Sequence, residues 1–119
     1  MTTLILTGIP ASMGVVSGPV KVVTDLSMLS SIESGDILVT GMASPDMILA
    51  MRKVVGIITD RGGATCHAAS VARELGIPCI VGTNNATKIL PNGGRIIMDG
   101  TTGEVYEAPE YTHNEKEGQ

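Results

Sequence analysis

The stretch from Val54 to Gly82, VVGIITDRGGATCHAASVARELGIPCIVG, constrains the chain more than any other, because it sets two short apolar runs around a glycine pair and a helical pattern. Val54 to Asp60 is mostly apolar and reads as a strand buried on both faces. It runs directly into Arg61-Gly62-Gly63. From Cys66 or His67 the period becomes helical, with Ala68, Ala69, Val71, Ala72 and Leu75 on the apolar side and Arg73 and Glu74 on the wet side. Gly76 ends this helix and Pro78 prevents its resumption. The following PCIVG is another buried strand, so a chain containing this unit is expected to be mixed α/β.

The flanking segments agree. GVVSGPVKVV, Gly14 to Val23, carries β-branched residues around a Gly-Pro break and predicts a strand or a hairpin. SGDILVTG, Ser34 to Gly41, is a turn followed by a short buried strand. SPDMILAMRKV predicts a helix over about Pro45 to Lys53, with Ser44 as cap, Pro45 at the first position, and Asp46, Arg52 and Lys53 opposing the helix dipole. NATKIL is a short helical turn, and GGRIIMDGTTGEVYE a final hairpin. Residues 1–108 are expected to form one compact domain, since 119 residues fit the usual size of roughly 100–150. Residues 109–119, with Pro109 at their base, read as a polar, disordered tail. The chain has two tyrosines and no Phe or Trp, so Val, Ile, Leu, Met and Ala must build the core.

Several functions are excluded on these grounds. A net charge of −4 and few aromatics argue against nucleic acid. No apolar run approaches the ~20 residues of a membrane span, and the N-terminus lacks the pattern of a secretory signal. A cytoplasmic protein is expected. Cys66 and Cys79 have neither zinc-site nor redox-pair spacing, which predicts reduced thiols and no metal site in the domain. Met42, Met47 and Met51 fit either core or an adaptable interface.

That leaves His67. Glycines let backbone N–H groups converge, and a helix N-terminus adds partial positive charge, so this strand–glycine–helix arrangement suits an anion. A nucleophilic nitrogen held there is placed to accept a phosphoryl group. The same helix end disfavours the imidazolium and keeps the ring nucleophilic. Thr65 is expected as the N-cap, its hydroxyl serving a helix N–H or orienting the ring and phosphate. A Cys66–His67 dyad fails because successive helical residues point about 100° apart. A Ser70–His67 pair has no carboxylate nearby in sequence to orient it. His113 in the tail is expected to be solvated.

Thr59 to Gly82, with its Gly-Gly-x-Thr-Cys-His-Ala-Ala core followed by ARELGIP, resembles the phosphohistidine signature of phosphoenolpyruvate-utilising enzymes: phosphoenolpyruvate synthase, pyruvate phosphate dikinase and enzyme I of the sugar phosphotransferase system. Asp36 to Thr59 also looks like the mobile domain of that family, and weaker similarity extends to Tyr106. The resemblance implies a swivelling β/β/α phosphohistidine domain, with His67 phosphorylated through Nε2. It further implies that Gly62, Gly63, Ala64, Thr65 and Cys66 surround the phosphate. In pyruvate phosphate dikinase the threonine matching Thr65 is a regulatory phosphorylation site. The nucleotide-binding domain and phosphoenolpyruvate barrel of the complete enzymes have no room in 119 residues. The leading expectation is a stand-alone carrier that moves a phosphoryl group between separate nucleotide-binding and phosphoenolpyruvate-binding partner proteins. It would bind no cofactor itself, and Mg²⁺ would sit in the partners. Two alternatives are a non-catalytic module that senses an anion or docks a partner, and a structural subunit without a site.

Overall fold

Eight short strands and three short helices make up the computed structural model, which describes residues 3–109. In chain order they are β1 (Leu4–Thr7), β2 (Ile9–Ser12), β3 (Val15–Val23), β4 (Ile37–Thr40), α1 (Ile48–Met51), β5 (Gly56–Thr59), α2 (His67–Leu75), β6 (Cys79–Val81), α3 (Ala86–Ile89), β7 (Arg95–Asp99) and β8 (Glu104–Glu107). Two 3-10 turns, Leu26–Ser31 and Pro45–Met47, fill connections. The strands hydrogen-bond in the order β1-β8-β7-β3-β4-β5-β6-β2. β3 to β6 run parallel, and the remaining pairings are antiparallel.

Strand period 2 explains how short, wholly buried strands build two cores. Leu38, Ile57, Cys79 and Val81 point to one face, where they meet Ala50 and Met51 of α1 and Ala68, Ala69, Val71 and Ala72 of α2. Their neighbours Ile37, Val39, Ile58 and Ile80 point to the other face, against Leu6, Ile96, Met98 and Val105 of β1, β7 and β8. Two sheet layers and one helical layer result, which is the β/β/α arrangement that the family resemblance implies. Each fully buried Ile or Leu contributes roughly 1.5–3 kcal/mol.

Gly14 to Val23 contributes one nine-residue strand, not a hairpin. Gly18-Pro19 marks a change of partner instead: Val15 to Pro19 pair with β7, and Val20 to Val23 with β4. Proline lacks an N–H, and here it falls where one ladder ends. Gly18 is needed because a Cβ there would lie 2.7 Å from the Gly35 carbonyl. The helix expected over Pro45 to Lys53 is shorter and mixed, a 3-10 turn followed by α1, with Arg52 at its end. Ser44 occupies the cap position, but its side chain makes no capping hydrogen bond. Leu75, expected on the apolar side of α2, is 39% exposed. Met47 and Met51 are core residues, whereas Met42 is exposed. The proposed tail beyond Pro109, His113 included, lies outside the described residues.

Candidate functional site

The loop from Asp60 to Cys66 leaves the C-terminal end of β5 and delivers His67 to the first position of α2. Its base is held firmly. The Asp60 and Arg61 N–H groups donate to the Thr40 and Gly41 carbonyls at 3.1 and 2.9 Å. Thr59 Oγ1 donates to the Arg61 carbonyl at 2.7 Å. The Asp60 carboxylate accepts from the Thr87 N–H at 2.9 Å and from Thr87 Oγ1 at 2.6 Å, tying the loop to α3.

Gly62 and Gly63 have different tasks. Gly62 adopts φ +124°, and a Cβ on it would fall 2.9 Å from Cys66 Sγ. Its carbonyl also lies 3.1 Å from the Cβ position of Gly82. Gly63 has open space around it, and its carbonyl accepts the Cys66 N–H at 3.1 Å, closing a turn through Ala64 and Thr65. That turn moves the helix start. Cys66, with φ −70° and ψ 170°, is the N-cap in place of Thr65, and the Ser70 N–H donates to its carbonyl at 3.0 Å. No side chain caps the helix, so Thr65 is exposed with its hydroxyl uncommitted among the described residues. The first N–H groups of a helix have no intrahelical partner, and here no side chain of the N-cap takes one up.

His67 is half-buried. Its Nε2 is buried with no hydrogen-bond partner among the described residues. A buried polar atom left this way costs about 1–3 kcal/mol. Cys66 packs against the cluster that holds Cys79, and both are free thiols. Burial, with a smaller contribution from Cys66, pushes the Cys79 thiol up to about 12, against the opposing pull of Arg73. No group of three or more His, Cys, Asp or Glu residues able to hold a metal occurs among the described residues. No helix among them is long and apolar enough to cross a membrane.

Two arginines near the loop carry more than the sequence reading gave them. Arg61 lines a cleft of about 290 Å³ with Thr24, Thr40, Gly41 and Thr87, and its guanidinium has no partner among the described residues. Arg73, read only as part of a solvated face, reaches back along α2 to the loop: Nη2 donates to the Ala64 carbonyl at 2.8 Å and Nη1 to the Ala11 carbonyl at 2.7 Å. Helical side chains lean toward the N-terminus, a direction that could have flagged this reach.

A layered β/β/α domain that presents a histidine on a glycine loop at a helix start defines a class, and the comparisons identify it. The family model for the mobile domain of PEP-utilising enzymes matches residues 32–103, so the chain belongs to that family. A probable phosphoenolpyruvate synthase from Methanothermobacter thermautotrophicus is 49% identical over 116 residues, covering 98% of this chain and 17% of the relative. The phosphoenolpyruvate synthase of Pyrococcus furiosus is 52% identical over 103 residues, 87% of this chain and 13% of its own. The chain thus spans less than a fifth of the length of these relatives. Among solved structures, an enzyme I protein superposes with a TM-score of 0.60 at 35% identity, covering 73% of this chain and 36% of that one.

Proposed function

We propose that this domain carries a phosphoryl group on His67 between a nucleotide-binding site and a phosphoenolpyruvate-binding site. Both lie on partners outside these 119 residues, and Mg²⁺ belongs to those sites. The observation that carries the reading is the uncapped start of α2, with Thr65 uncommitted and His67 as its first residue. In loading, the Nε2 lone pair attacks the donor phosphorus, an N–P bond forms, and the P–O bond to the leaving group breaks with its electron pair departing on oxygen. In unloading, an acceptor oxygen attacks the same phosphorus and the N–P electron pair returns to the ring. The helix N–H groups stabilise the charge on the phosphoryl oxygens in both directions. Docking supplies alignment, which is worth up to ~7–11 kcal/mol of the barrier.

The buried Nε2 favours a competing reading, in which the loop only senses an anion or docks a partner. One assay separates them. The protein, its His67→Ala variant and an acid-treated aliquot are weighed by intact mass after incubation in extract of the native cells with ATP or phosphoenolpyruvate. The carrier gains one acid-labile phosphoryl that the variant lacks. No gain from either donor, in an extract shown to load a known phosphohistidine protein, rejects the carrier in favour of the docking module.

A further inference from the structure

Ala11 sits where the ladder between β2 and β6 loses register: Pro10 pairs with Ile80 and Ser12 with Cys79, which leaves Ala11 as the extra residue of a bulge. Bulges leave a residue outside the ladder, and the Ala11 carbonyl is accordingly open to another donor. The Ala64 carbonyl lies in the turn that closes from Gly63 to Cys66. One guanidinium serves both. Arg73 donates to Ala11 at 2.7 Å from Nη1 and to Ala64 at 2.8 Å from Nη2, binding the turn that precedes His67 to the edge strand.

The remaining contacts of the turn are few. Cys66 N–H to Gly63 closes it from within, while Gly62, Ala64 and Thr65 are exposed. The anchors at Asp60 and Arg61 hold only its entry. Arg73 is thus the sole side chain among the described residues that hydrogen-bonds the Gly62–Cys66 backbone. A planar fork with fixed donor directions can hold two carbonyls at once, and a lysine ammonium on a flexible stem cannot reproduce that geometry.

We infer that Arg73 is a positioning residue for phosphoryl transfer at His67. It fixes the Ala64–Cys66 turn, and through it the helix N–H groups and the Thr65 hydroxyl, relative to the imidazole. The inference rests on the carrier reading above. Its effect is on alignment, where a displacement of about 1 Å can cost on the order of a hundredfold in rate.

The test uses the full chain with Arg73→Gln and Arg73→Lys. The rate of His67 loading in native-cell extract with the effective donor is measured beside amide hydrogen exchange at Thr65, Cys66 and His67, with Ile57 as a core reference. Arg73→Gln is expected to load at least about tenfold more slowly, with loop amides exchanging faster while Ile57 keeps its protection; Arg73→Lys is expected to recover only part of either. Should Arg73→Gln fail to fold, Arg73→Lys carries the same comparison. Unchanged loading, full rescue by lysine, or acceleration of Ile57 in step with the loop overturns the inference. If the wild type itself takes no phosphoryl, the carrier reading fails and takes the transfer role of Arg73 with it. Loop exchange then shows separately whether the clamp exists.

Discussion

Gly62→Ala isolates what the glycine pair does, because its neighbour Gly63 provides an internal control. At Gly62 the backbone sits at φ +124°, a region that costs an L-residue about 1–3 kcal/mol. The new methyl would also stand 2.9 Å from Cys66 Sγ and 3.3 Å from Cys66 Cβ, which adds an overpacking cost of roughly 1–3 kcal/mol. Relaxation shares these costs, so a net loss of about 2–4 kcal/mol is expected, a fall in Tm of roughly 8–16 °C for a domain this size. A Cβ at Gly63 meets nothing within 4 Å and needs no positive φ. Gly63→Ala is expected to lie between unchanged and about 1 kcal/mol more stable, through the lower entropy of the unfolded chain. Urea unfolding of both variants, with Cys66→Ala and the Gly62→Ala/Cys66→Ala double variant, completes a cycle. The double variant should recover the steric part, at least about 1 kcal/mol, and leave the backbone part. Equal damage at both glycines, or a loss below about 1 kcal/mol at Gly62, would refute the assignment of strain to the first position.

Two further predictions concern the supports of the loop. The Cys79 thiol ionises at about 12 when folded and at its ordinary 9.0 when unfolded. Its contribution is therefore complete below pH 9.0 and lost as pH rises toward 12, at about 1.4 kcal/mol per pH unit. Unfolding free energies from pH 8 to 11 should fall more steeply in the wild type than in Cys79→Ala, and parallel slopes would contradict burial as the cause. Asp60→Ala removes both acceptors of Thr87 and should cost about 1–3 kcal/mol in denaturant unfolding, with Asp60→Asn recovering part of it. An Asp60→Ala protein as stable as wild type would remove the link between the loop and α3.

Period and punctuation made much of this fold legible. Ile57-Ile58 and Cys79-Ile80-Val81 are apolar without interruption because helices cover one face and a second sheet layer the other. Gly76 turns left-handed at φ +74°, and the Ile77 N–H closes on the Ala72 carbonyl at 3.0 Å, so the stop of α2 was written in the sequence. The first strands were not. β1 and β2 are four residues each, and their pairing with β8 and β6 depends on partners some 70–100 residues away in sequence. The cap at Cys66 was missed because a residue at that position usually advertises itself by a capping side chain, and here the turn from Gly63 does the work. The strand, the glycine turn and the helix that begins near His67 were legible from local order alone. The reach of Arg73 to Ala64 follows the lean of a helical side chain, but its second anchor is a bulge in a strand 62 residues away, which no local pattern encodes.

The most direct test of the account is nitrogen NMR of the phosphorylated protein with ¹⁵N-labelled histidine, since His67 and His113 are the only imidazoles. The account predicts a phosphoryl group on Nε2 of His67, with His113 unchanged and both resonances restored after acid treatment. A phosphoryl group on His113, on Nδ1 of His67, or on no imidazole at all would contradict it.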